Sequence, residues 1–118
     1  MLVNEKGIVL AGKARHAESF WQKFLGLMRE KNKAFNYALV FHLQKESWLE
    51  ASIHSLFMRF AIDVLWLDEN KKIVCLLEGF KPWQLNATPE RKARYIVELK
   101  AGTIKGKRIM IGQKLKWN

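Results

Sequence analysis

Residues 62–67 read Ile-Asp-Val-Leu-Trp-Leu, and this segment constrains the fold more than any other. In an extended strand alternate side chains point to opposite faces, so Ile62, Val64 and Trp66 form one row while Leu65 and Leu67 form the other. Both rows are apolar, which predicts a strand buried on two sides. Asp63 opens the second row, and a carboxylate in that setting requires a partner. His54 and Arg59 lie just upstream, so residues 53–68 bring a base, a cation and an acid into one short stretch.

The surrounding chain reads as mostly strand. Residues 7–12 are a short apolar run bounded by Gly7 and Gly12, best taken as a strand paired with residues 1–3. The period then changes: Phe20, Trp21, Phe24, Leu25 and Met28 recur at spacings of three and four, which predicts an amphipathic helix. Gly26 inside that helix suggests close packing. Residues 37–43, 52–58, 62–67, 72–78 and 94–99 are predicted strands, with a polar loop at 44–51. The Asp68-Glu69-Asn70-Lys71 run joins 62–67 to 72–78 as a hairpin, because Asp and Asn side chains hydrogen-bond to nearby backbone in turns. Residues 81–91, with Pro82 and Pro89, read as loop; 103–108 as a short turn or helix; and 113–117 as a final strand. The expected fold is mainly β, α+β by content: one compact antiparallel barrel or sandwich of about seven short strands with a single amphipathic helix in the N-terminal half.

A chain of 118 residues with 49% hydrophobic content suffices for one core, and one domain over 1–118 is expected. No apolar run approaches the roughly 20 residues that span a bilayer, and the N-terminus lacks the pattern of a secretory signal, so a cytoplasmic protein without membrane contact is expected. Cys75 has no second cysteine to pair with and falls in an apolar strand, which suits a small core residue.

The net charge of +10 is concentrated late in the sequence. From Arg91 onward, Arg91, Lys92, Arg94, Lys100, Lys105, Lys107, Arg108, Lys114 and Lys116 face Glu98 as the only acid. Any anionic partner is therefore expected at the C-terminal quarter, although a lysine-rich surface also serves solubility alone.

Three boxes carry a family resemblance. They are Leu25-Gly26-Leu27-Met28-Arg29; Ile53-His54 with residues 57–64 and Leu67-Asp68; and Val97-Glu98-Leu99 with Ala101-Gly102, followed by Gly112-Gln113. In order and spacing they resemble the domain of unknown function 192 family of small bacterial and archaeal proteins, over nearly the whole chain. That family usually has proline where Ala61 stands and more often Gly-Asp where this chain has Gly112-Gln113. The resemblance places Asp63 on the family's most characteristic acid. It implies a compact, mainly β domain without an assigned biochemical role.

For Asp63, a ligand-binding or catalytic carboxylate competes with a structural acid that fixes residues 59–62 by accepting backbone N–H groups or pairing with an arginine; the structural reading is favoured. His54 is a possible general base, but alternating with Leu56 and Met58 on one strand face it fits a hydrogen-bonded structural residue better. His16 and His42 lie far apart, and no histidine–carboxylate spacing suggests a metal, so neither metal nor cofactor is expected. Trp21 and Trp66 are expected in the core; Trp48 and Trp83 are expected to be partly exposed. The leading expectation is a non-catalytic β domain binding a small ligand or protein partner beside His54, Arg59 and Asp63. Nucleic-acid binding through Arg91, Lys92, Arg94, Lys105, Lys107 and Arg108 is the alternative, and a hydrolase using Asp63 and His54 is the third.

Overall fold

Burial on both sides of residues 62–67 is met by placing them inside a five-stranded sheet. A computed structural model describes residues 1–17, 37–47, 61–81 and 91–117. Within them the strands are β1 (Leu2–Asn4), β2 (Val9–Ala11), β3 (Ala14–Ala17), β4 (Ala38–Ser47), β5 (Ile62–Leu67), β6 (Ile73–Phe80), β7 (Ala93–Lys100) and β8 (Leu115–Trp117), with one short helix, α1 (Thr103–Gly106). They form a three-stranded sheet in the order β2-β1-β8 and a five-stranded sheet in the order β3-β4-β7-β5-β6. The radius of gyration, 12.7 Å, is close to the roughly 13.5 Å typical of a folded chain of this length.

The two rows of β5 separate as their alternation requires. Ile62, Val64 and Trp66 join Leu39, Phe41 and Ile96 in one apolar cluster; Leu65 and Leu67 join Val40, Val97 and Leu99 in another. Leu2, Leu10 and Leu115 of the small sheet, with Ile104 and Ile109, close over the second cluster. The small sheet therefore packs on one face of the large one, as in a sandwich. Two distinct sheets correct the closed-barrel alternative.

A second correction concerns strand direction. β3 pairs with β4 in parallel, Ala14 opposite Ala38 and His16 opposite Val40, whereas the other pairings are antiparallel. β3 is also a strand that the residue pattern does not announce. Ala-Arg-His-Ala has no apolar alternation; pairing with β4 holds it at the sheet edge, with Ala14 packed against the second cluster and His16 against His42.

The predicted hairpin is present. Asp68 Oδ1 accepts the backbone N–H groups of Asn70 (2.8 Å) and Lys72 (3.0 Å), and Lys71 takes a left-handed conformation with φ 63°. β1 pairs with β2 as expected, and Trp66 is buried. β4 runs on through Ser47, into residues expected to be loop. Cys75 packs against the first cluster, as expected of a small core residue, and is half-buried because β6 is an edge strand. The predicted helix with its Gly26, the strand at 52–58, most of the 81–91 loop, and Trp21, Trp48 and Trp83 lie outside the described residues. No helix among the described residues is long and apolar enough to cross a membrane.

Candidate functional site

Asp63 is 1% exposed, and both of its oxygens are engaged. Oδ1 accepts the N–H of Gly79 at 2.9 Å; Oδ2 accepts the N–H groups of Gly102 at 3.1 Å and Ile104 at 2.9 Å. The local folding explains each donor. β5 and β6 shift register between Ile62 and Val64, so β6 carries an irregularity opposite Asp63, and there Gly79 turns with φ +63°. Beyond β7, Gly102 turns the chain with φ +94° into α1. A helix start leaves N–H groups without intrahelical partners. Gly102, as the residue preceding the helix, has no side chain to accept them. The carboxylate of Asp63 supplies that cap from another strand, as Asp does locally at helix starts.

Asp63 thus ties β5 to the end of β6 and to the start of α1. It accepts backbone N–H groups, the kind of partner that the structural reading names, but from Gly79, Gly102 and Ile104 and not from residues 59–62. His54 and Arg59 lie outside the described residues. Glu98 is a second buried acid, 3% exposed, paired in register with Leu39 and Val64. At the turn before β8, Gln113 stands where the resembled family more often has the Asp of Gly-Asp. Its Oε1 accepts the N–H of Met110 at 3.1 Å, so the side chain still closes the turn.

The basic candidates divide between two places. Arg91 and Lys92 are exposed at the start of β7, and Lys105, Lys107 and Arg108 are exposed in and after α1, beyond its other end. As eight extended residues, β7 is about 24 Å long, and it lies between the two groups in the chain. Arg94 is half-buried, and its guanidinium lies 5.2 Å from the Tyr95 ring centre, which makes it part of the sheet packing.

A cluster that the linear sequence does not reveal lies where the two sheets meet. His42 of β4, Tyr95 of β7 and Trp117 of β8 pack edge to face, with centroid distances of 5.3 Å for His42–Tyr95 and 5.1 Å for Tyr95–Trp117. His16 of β3 approaches so that its Nδ1 lies 2.7 Å from His42 Nε2. Lys71 Nζ sits 4.3 Å from the Trp117 ring centre. The two histidines are 26 residues apart, and only the parallel β3–β4 register brings them together. Among the described residues, no group of three or more His, Cys, Asp or Glu is arranged to hold a metal.

Known proteins share this architecture. A crystal structure from Sinorhizobium meliloti, of a protein described as a candidate transcription regulator, superposes with a TM-score of 0.83 at 20% identity, covering 98% of this chain and 88% of that one. A protein of unknown function from Novosphingobium aromaticivorans gives 0.79 at 13% identity, covering 88% and 74%. These likenesses establish the fold. A UPF0127 protein of Pyrococcus furiosus is 42% identical across 100% of this chain and 97% of its own length. A UPF0127 protein of Thermococcus sibiricus is 41% identical across 99% of this chain and 74% of its own. The family model for DUF192, described as an uncharacterized ACR, matches residues 1–117, so the chain belongs to the DUF192 family.

Proposed function

We propose that this chain is a non-catalytic binding domain for an anionic polymer, with nucleic acid as the partner. The observation that carries this reading is the distribution of exposed charge. Among the residues whose side-chain burial is described, the exposed carboxylates are Glu5, Glu69 and Glu78, whereas exposed cations recur from Lys6 to Lys116 and gather at both ends of β7. A single phosphate or a small anion cannot span a strand about 24 Å long to touch cations at both of its ends. One strand of a duplex presents about seven phosphates over that length, at about 3.4 Å per charge. The crystal structure described as a candidate transcription regulator is compatible with this reading but, at 20% identity, lends it no more than a fold.

The same geometry moves Asp63 out of the binding role. Its oxygens accept backbone N–H groups inside the fold, which supports an anchoring role for Asp63 over that of a general base or ligand group. That disfavours both a hydrolase built on Asp63 and a ligand cleft centred on it.

The test is fluorescence anisotropy with labelled single-stranded and duplex oligonucleotides of about 24 nucleotides. Binding is expected at about 50 mM salt, with log affinity falling linearly in log salt and a loss of about tenfold or more by about 200 mM. Replacing Lys105, Lys107 and Arg108 together by Gln is expected to weaken binding to all sequences alike. Absence of detectable binding at low salt overturns the proposal.

A further inference from the structure

We propose that His16 and His42 form a two-ligand site for a divalent transition metal of the Cu²⁺, Ni²⁺ or Zn²⁺ class, on the face where β3 meets β4. His16 Nδ1 and His42 Nε2 already face each other at 2.7 Å. Two imidazole nitrogens bound at about 2.0–2.1 Å, with an angle of about 90–110° at the metal, stand about 2.8–3.4 Å apart. A ring swing of a few tenths of an ångström therefore opens the pair to the ligating distance.

The rings are positioned in advance. His42 is half-buried and rests edge-on against Tyr95, at 85° and 5.3 Å, and against Trp117, at 86° and 6.2 Å. His16 is exposed, which leaves an approach from solvent. Imidazole nitrogen suits copper, nickel and zinc, and by the usual order of stability copper binds tightest. With two protein ligands, water completes the coordination shell.

The protons balance simply. In the neutral pair one ring donates to the other across the 2.7 Å contact, and metal entry moves that proton to the donor ring's other nitrogen. No net proton is released. When the pair carries one extra proton, that proton leaves to solvent as the metal binds.

The position of Trp117 supplies the readout, since its ring centre lies 6.3 Å from His16 and 6.2 Å from His42. Titrating the full chain with Cu²⁺ is expected to quench part of the tryptophan emission saturably, at one ion per chain. Calorimetry with Cu²⁺ and Zn²⁺ is expected to give the same stoichiometry. Trp117→Phe, which keeps an aromatic ring beside His42, is expected to remove most of that quenching. His16→Ala and His42→Ala, each checked by thermal melting to be folded, are expected to weaken Cu²⁺ binding by at least the roughly 10–100-fold typical of lost metal-site partners. Unchanged affinity in both variants overturns the site, as does a loss confined to His54→Ala or the absence of saturable binding in the parent chain.

Discussion

Asp63 stands in a row of leucines, where a charged group survives only if hydrogen bonds replace the water it has lost. Three N–H donors do so, and they belong to segments 16, 39 and 41 residues further along the chain. Asp63→Asn keeps the shape but turns one acceptor into a donor, setting an NH₂ against at least one N–H group. Losing a charged hydrogen bond and stranding a buried donor costs about 2–3 kcal/mol, and Asp63→Ala costs somewhat more. A drop of about 10 °C in Tm is expected, checked by thermal denaturation. Oligonucleotide affinity per folded molecule is expected to stay within about twofold; a tenfold loss in a still-folded variant shows that Asp63 touches the partner. The two glycines that aim donors at Asp63 are constrained by backbone alone. A Cβ at Gly79 or Gly102 meets nothing within 4 Å, yet φ is +63° at the first and +94° at the second. Alanine at either position is therefore expected to cost about 1–2 kcal/mol, measured by urea denaturation.

Between the residues and the whole stand the elements, and the hairpin joining β5 and β6 is the one most fully specified locally. Asp68 accepts two N–H groups within four residues of itself, and Asp68→Ala is expected to cost about 1–2 kcal/mol in chemical denaturation. Asn70→Ala, at an exposed position, is expected to stay within about 0.5 kcal/mol. This hairpin was legible because turn chemistry and strand alternation lie in adjacent residues. The two-faced burial of β5 was legible for the same reason, as was a requirement that Asp63 find partners. The identity of those partners was not, since Gly79, Gly102 and Ile104 reach Asp63 only after β6 and β7 have been laid down. β3 escaped for a related reason: Ala14 to Ala17 carry no periodic signal, and a parallel edge pairing depends on β4 being in place. The proximity of His16 and His42 follows from that same register, so no reading of local spacing would have found it. Cys75 differs only in degree: it packs against the first cluster as an apolar run implies, but is half-buried because its strand ends the sheet.

At the scale of the molecule, β7 acts as a ruler between two cationic groups. Arg91 and Lys92 precede one end, and Lys105, Lys107 and Arg108 follow the other, with about 24 Å of strand between. If both groups engage one polymer, affinity depends on its length as well as its charge. A duplex of about six base pairs reaches one group at a time, whereas one of about twelve spans both, so a steep rise in affinity and in salt slope is expected between these lengths. Neutralising the α1 group with three Gln substitutions frees up to about three phosphates from their cations. The slope of log affinity against log salt is then expected to fall by roughly 1 for each phosphate so freed. The same substitutions should flatten the length dependence, because one remaining group gains nothing from a longer duplex. Anisotropy titrations of both chains against both duplexes, at several salt concentrations, separate this arrangement from diffuse attraction to a protein of net charge +10. Diffuse attraction also weakens on removal of three charges, but it retains the length dependence; that outcome would remove the two-ended surface while leaving non-specific binding in place.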